Sequence, residues 1–186
     1  MEALWISTGL VALAEVGDKT QLLSLVLSAR FRRPWPIVVG ILVATLANHA
    51  AAAALGAWIT NYVGDRMLTI ILGVSFLAMG AWILVPDKLD DDEGAKRLRA
   101  GVFWTTTVLF FIAEIGDKTQ VATVMLAARY DALAWVVVGT TIGMMIANVP
   151  VVFFGEAIAR RMPVRIVRRV AAGAFAILGV VALANA

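Results

Sequence analysis

Residues 14–21 read AEVGDKTQ, and residues 113–120 read AEIGDKTQ. The two octapeptides are identical at seven of eight positions and lie 99 residues apart. Each contains two acidic residues and one lysine, and each is embedded in a long apolar stretch. An isolated charge is costly in apolar surroundings. Because each motif places three charged residues in such surroundings, the two motifs are the features of the chain that most need an explanation.

The composition indicates a membrane protein. Of the 186 residues, 61% are hydrophobic and the mean hydropathy is +0.88, whereas soluble domains are about 45–50% apolar. The net charge of +3 comes from basic residues in short segments between apolar runs, which argues against nucleic-acid binding. The chain has no cysteine, so disulfides and cysteine-based metal sites are excluded. An acid follows Met1 and no basic segment precedes the apolar run, so we expect a retained first helix and not a signal peptide.

The apolar stretches predict an all-α integral membrane protein with six transmembrane helices. A spanning helix needs about 20 mostly apolar residues, and six candidates satisfy this: 4–29, 36–60, 67–85, 102–128, 132–159 and 164–185. The connection at 86–101 is long and charged. It divides the chain into a first three-helix unit at 1–85, a solvated linker, and a second unit at 102–186.

The two units look like copies of one another. The spacing of 99 residues recurs outside the octapeptides, in the pairs Gly40 and Gly139, Gly56 and Gly155, and Gly80 and Gly179. Three helices per unit is an odd number, so the second copy must enter the membrane from the opposite side. This pattern predicts an inverted repeat, which in many secondary transporters holds the substrate site at its midplane.

Basic residues predict the orientation, because cytoplasmic loops are enriched in them. One side of the predicted bundle carries only Arg66 and Arg129. The other side carries twelve basic residues: Arg30, Arg32, Arg33, Lys88, Lys96, Arg97, Arg99, Arg160, Arg161, Arg165, Arg168 and Arg169. We therefore expect the 86–101 linker in the cytoplasm and both termini outside, with the arginines of the last helix extending to the membrane surface.

The motif charges are predicted to lie near the bilayer centre, where each ionised group costs about 2.5–3.5 kcal/mol on insertion scales. Folding a bundle does not require them, so they are candidates for function. The acids of one motif are three residues apart and can share a helix face. The glycine between them weakens the helix, and a local break would expose backbone carbonyls. The predicted metal ligands are Glu15, Asp18, Glu114 and Asp117, with helix breaks at Gly17 and Gly116.

The donor set is typical of a site for a hard divalent cation. Four carboxylates and two lysines leave a charge of −2, which one such ion would neutralise. Oxygen donors suit Mg²⁺, Ca²⁺ or Mn²⁺. Once the cation leaves, four crowded acids would not all stay ionised, so the same groups could carry protons. The predicted supporting residues are Lys19, Lys118, Thr20, Thr119, Gln21, Gln120, Asn48 and Asn148.

The roles of four further polar residues are less clear. Asn48 and Asn148 occupy equivalent positions in the two units and could either ligate a cation or bond across helices. His49, the single histidine, has Val149 as its counterpart, which favours a hydrogen-bonded polar residue over a ligand. We expect Glu156 to pair with a nearby arginine at the interface, with a gate as the alternative.

The two motifs of the form E-φ-G-D-K-T, in a duplicated six-helix chain, resemble the Golgi-type cation/proton antiporter family. The resemblance covers the whole chain, and neither motif departs from the family pattern. It implies exchange of Mn²⁺, and in some members Ca²⁺, for protons, without a cofactor. The short chain is similar to bacterial manganese exporters, which implies a plasma-membrane location. A homodimer is compatible with so small a bundle.

Alternative functions remain at this point. A structural or assembly protein would tolerate Glu→Gln in both motifs. An intramembrane metal-dependent phosphatase would need arginine or serine near the acids to bind phosphate. The candidate serines are weak because they have no counterparts in the second unit; they are Ser7, Ser24 and Ser28. An exporter of organic cations or amino acids would need an aromatic box or a carboxylate-binding arginine.

Overall fold

The computed structural model describes residues 1–85, 101–155 and 163–186. Within these ranges the chain is helical, with no strand. Most of the predicted linker and the residue Glu156 lie outside them. The described helices are α1 (Glu2–Glu15), α2 (Lys19–Phe31), α3 (Pro34–Thr60), α4 (Asp65–Ile83), α5 (Gly101–Glu114), α6 (Lys118–Arg129), α7 (Leu133–Phe154) and α8 (Val164–Ala184).

Four of the described helices, α3, α4, α7 and α8, are long and apolar enough to cross a membrane alone. They correspond to the predicted spans at 36–60, 67–85, 132–159 and 164–185. The other two predicted spans are not continuous helices. The span at 4–29 is divided into α1 and α2, and the span at 102–128 into α5 and α6, with the interruption inside each motif.

The helix order repeats along the chain. The starts of α1, α2, α3 and α4 precede those of α5, α6, α7 and α8 by 99 residues each. The halves pack into each other, because α1 lies against α7 while its counterpart α5 lies against α3. Glycines allow the close approach: a Cβ at Gly139 would lie 2.6 Å from the Leu4 carbonyl oxygen, and one at Gly40 would lie 2.8 Å from the Thr106 side chain.

Polarity is distributed as lipid surroundings require. Large apolar side chains such as Ile112, Ile146 and Val180 are exposed on the outside. The inside combines two apolar clusters with buried charged and polar side chains, including the acids of both motifs. Buried polar side chains inside an apolar exterior are expected for a membrane protein with a polar site between its helices.

Candidate functional site

Each motif interrupts its helix at the glycine. Gly17 has φ +78° and Gly116 has φ +74°, in the left-handed region that side chains disfavour. The following aspartates, Asp18 and Asp117, are extended and occupy the N-cap positions of α2 and α6, a position that aspartate favours. The sequence Gly-Asp therefore ends one helix and starts the next in the middle of the bundle.

The glutamines of the motifs stabilise the two breaks. The Gly17 N–H donates to Gln21 Oε1 at 2.9 Å, and the Gly116 N–H donates to Gln120 Oε1 at 2.7 Å. Each glutamine amide nitrogen then donates across the bundle, Gln21 to the Ala147 carbonyl at 3.0 Å and Gln120 to an amide oxygen on α3 at 3.4 Å. The predicted supporting glutamines thus contact the backbone of the break, which satisfies donors that the interruption leaves unpaired.

Three of the four predicted carboxylates converge. Glu15, Asp18 and Asp117 each offer an oxygen within 4.8 Å of the others, and all three are buried. The fourth acid, Glu114, is also fully buried. It connects to the group through Thr119, whose hydroxyl lies 3.3 Å from Glu114 Oε2 and 3.2 Å from Asp117 Oδ2. Acids from both motifs, nearly 100 residues apart in sequence, therefore line one interior region.

The lysines pair across the two halves. Lys19 Nζ lies 3.5 Å from Asp117 Oδ1, and Lys118 Nζ lies 3.9 Å from Asp18 Oδ1. Lys118 also donates to the Val85 carbonyl at 3.1 Å. The exposed fraction of the Lys19 side chain is 22% and that of Lys118 is 3%. The reciprocal pairs connect the start of α2 to the start of α6, so the two breaks face each other.

The first-half glutamate is held by neutral donors. Thr20 Oγ1 donates to Glu15 Oε2, and Asn148 Nδ2 lies 3.4 Å from the same oxygen. Asn148 Oδ1 accepts from Ser24 at 2.7 Å. Its counterpart Asn48 is used differently, since its Nδ2 donates to the Phe111 carbonyl at 3.1 Å. Both asparagines thus make inter-helix bonds, and only Asn148 contacts a motif carboxylate among the bonds described.

Two residues near the site were not expected there from the sequence. His49 is fully buried with Nε2 3.6 Å from Glu114 Oε2; the sequence favoured a hydrogen-bonded residue, but among the described residues neither ring nitrogen has a hydrogen-bond partner. Arg168 was expected to extend to the membrane surface. It instead donates to the Gly17 carbonyl at 2.7 Å. Both contacts join helices that are distant in sequence, so local patterns carried no signal for them.

The family model described as divalent cation/proton antiporter GDT1 matches residues 3–91 and 102–186. The chain belongs to the GDT1 family. A Vibrio cholerae protein named "Putative manganese exporter" is 54% identical over 179 residues, which cover 96% of this chain and 88% of that protein. A GDT1-like protein of Synechocystis is 30% identical over 82% of both chains. GDT1-like protein 3 of Oryza sativa is 26% identical over 89% of this chain and 68% of its own length. No solved structure matches significantly.

Membership in the GDT1 family makes the protein a cation transporter of the membrane and not an enzyme. The resemblance drawn from the E-φ-G-D-K-T motifs is thereby confirmed, and the phosphatase alternative is set aside. The geometry agrees with this chemistry. Buried carboxylates at two helix breaks, with hydroxyl and carbonyl oxygens beside them, form the oxygen-rich surroundings that hard divalent cations prefer.

Proposed function

We propose that this protein exports Mn²⁺ across a bacterial plasma membrane in exchange for protons, with Ca²⁺ as a further substrate. The observation that carries the proposal is the convergence of Glu15, Asp18 and Asp117 within 4.8 Å at two facing helix breaks. Glu114 supplies the fourth carboxylate. The family description supports cation/proton exchange, and the name of the Vibrio cholerae relative supports manganese.

Charge balance couples the two substrates. The four carboxylates and two lysines carry −2, so one divalent cation neutralises the site. When the cation leaves, carboxylates this close in a low-dielectric interior repel one another, and protonation relieves the repulsion. Cation and protons therefore compete for the same oxygens. Competition for one set of ligands, reached alternately from each side, produces antiport when the empty site does not change sides.

Alternating access follows from the duplicated architecture. We take the halves as inverted repeats of three spans each, with α1 and α2 together forming one span and α5 and α6 another. Discontinuous helices at the midplane are the usual construction of such sites. Rocking of one half against the other would expose the site to the cytoplasm and then to the outside. In this proposal the 86–101 linker is cytoplasmic and both termini are outside; a homodimer stays a prediction.

The deciding experiment is Mn²⁺ flux into proteoliposomes under pH gradients of either sign, with internal pH recorded simultaneously. We expect Mn²⁺ to move against protons. Glu114→Gln should abolish both signals, because it removes a buried ligand and a proton carrier together, whereas Glu2→Gln, which changes an exposed acid at the start of α1, should retain both. Ca²⁺ and Mg²⁺ competition then measures selectivity.

Two results would contradict the proposal. Mn²⁺ movement without a proton signal would show a passive path and remove the coupling argument. Retention of full exchange in both Glu114→Gln and Glu15→Gln would favour the structural or assembly function, in which these carboxylates only fix the packing of the helices.

A further inference from the structure

His49 is a buried side chain whose polar atoms are unsatisfied. It lies on α3, is 0% exposed, and neither ring nitrogen makes a hydrogen bond to any described residue. Buried polar groups in native proteins almost always have a partner, and a neutral imidazole offers one donor and one acceptor. None of the described residues supplies that partner, so a bound ligand would satisfy the imidazole here.

The imidazole is directed at the second-half glutamate. His49 Nε2 lies 3.6 Å from Glu114 Oε2, and Glu114 Oε1 has no hydrogen-bond partner among the described residues. The separation is too long for a hydrogen bond. The distance is compatible with both atoms binding one ion, since donor atoms that are each about 2.0–2.6 Å from a hard cation can lie this far apart.

The two halves differ at this point. Each motif glutamate is contacted by its own motif threonine, Glu15 by Thr20 and Glu114 by Thr119. The position equivalent to His49 carries Val149, and Glu15 is contacted by the amide of Asn148 instead of an imidazole. Beyond the shared threonine contact, one glutamate therefore has an amide beside it and the other an aromatic nitrogen. The two halves therefore differ at this position, whereas their motif carboxylates are the same.

We propose that His49 Nε2 is a ligand of the transported cation beside Glu114, and that this nitrogen gives the site its preference for Mn²⁺ over Ca²⁺ and Mg²⁺. The inference rests on the proposed function and adds a specificity-determining residue to it. Neutral imidazole is a common ligand of transition metals, whereas Ca²⁺ and Mg²⁺ take oxygen ligands. An all-oxygen site would lack this discrimination.

The direct test is pulsed electron paramagnetic resonance of Mn²⁺ bound to the purified protein. Because the chain has a single histidine, labelling with ¹⁵N-histidine marks His49 alone, provided that the purification tag contains no histidine. We expect a ¹⁴N modulation on the Mn²⁺ signal that changes to ¹⁵N on labelling. It should be absent from His49→Gln, which places an amide where the imidazole stood.

Affinity measurements test the selectivity. His49→Gln should weaken Mn²⁺ binding by about 10–100-fold, the usual cost of removing a group that supports a bound metal. Ca²⁺ binding should change much less, so the Mn²⁺/Ca²⁺ ratio of affinities falls. The matched control is Thr45→Val, which alters another buried polar group one turn away on α3; it should leave that ratio unchanged.

The outcomes separate the inference from the proposed function. Bound Mn²⁺ without a histidine-derived modulation would overturn the inference and leave Mn²⁺ binding by the carboxylates standing. Equal losses of Mn²⁺ and Ca²⁺ affinity in His49→Gln would also overturn it, since they would indicate a packing role. If the wild-type protein binds Ca²⁺ but no Mn²⁺, both the inference and manganese transport are wrong.

Discussion

At the residue scale, the two motif glycines are equivalent in sequence but not in surroundings. Both have positive φ, so a side chain at either is strained by about 1–2 kcal/mol. A Cβ at Gly17 would also lie 2.3 Å from Val164 Cγ1, whereas at Gly116 no atom of the described residues lies within 4 Å. The start of α8 therefore covers the first break, and no described residue covers the second in this way.

This difference gives a matched pair of variants. We expect Gly116→Ala to lower the unfolding temperature in detergent by the strain alone, and Gly17→Ala to lower it further, because Val164 must move. Thermal unfolding of both purified variants measures the difference. The double variant Gly17→Ala/Val164→Ala should recover the extra loss; equal unfolding temperatures of the two single variants would contradict the packing of α8 on the first break.

The residues of the candidate site could be predicted from the sequence to different degrees. The four acids were predicted as ligands because charged residues are rare in apolar stretches and because the repeat contains the same acids twice. His49 was not favoured as a ligand, because Val149 occupies the equivalent position in the second half and the repeat therefore contains no second histidine. Its proximity to Glu114 arises from packing of α3 on α5, a contact between residues 65 positions apart that no local pattern encodes.

At the scale of the elements, the lysine pairs connect the start of α2 to the start of α6. Lys118→Met should destabilise the metal-free protein, because it leaves the buried Asp18 carboxylate without this positive partner. The same change makes the site more negative, so added Mn²⁺ should raise the unfolding temperature by more than in the wild type. Thermal unfolding with and without Mn²⁺ measures both effects.

The control for this prediction is Arg66→Gln, which removes an exposed base at the start of α4 and should change neither quantity. Lys19→Met should act in the same direction as Lys118→Met but more weakly, since the Lys19 side chain is 22% exposed against 3%. A smaller Mn²⁺ effect in Lys118→Met than in the wild type would mean that the lysine assists cation binding and does not balance the acids.

Helix positions were more predictable than helix continuity. Hydropathy predicted the ends of α3, α4 and α8 to within about two residues. The reason is that the thickness of the bilayer sets the length of the apolar stretch that a spanning helix needs. The spans at 4–29 and 102–128 were drawn as single helices, although the glycines marked weak points. A glycine costs only about 0.5–1 kcal/mol in a helix, so whether the helix breaks depends on partners such as Gln21 and Arg168.

At the scale of the whole molecule, the repeat explains how a short chain builds a site with acids from two helix breaks. One half supplies a single break with two acids and one lysine, and so only two of the four carboxylates. Packing α1 on α7 and α5 on α3 brings the breaks together and pairs each lysine with the opposite aspartate. Duplication thus supplies both the ligands and their counter-charges.

The proposed inverted orientation of the halves predicts on which side of the membrane equivalent positions lie. Gly64 and Pro163 are 99 residues apart, are both exposed, and occupy the N-cap positions of α4 and α8. Since the chain has no cysteine, the variants Gly64→Cys and Pro163→Cys each contain one cysteine, whose labelling reports the side of the membrane on which it lies. A membrane-impermeant maleimide should label Gly64→Cys from outside intact cells and Pro163→Cys only in inverted vesicles. Labelling of both from the same side would show parallel halves, and alternating access by rocking of inverted repeats would then be wrong.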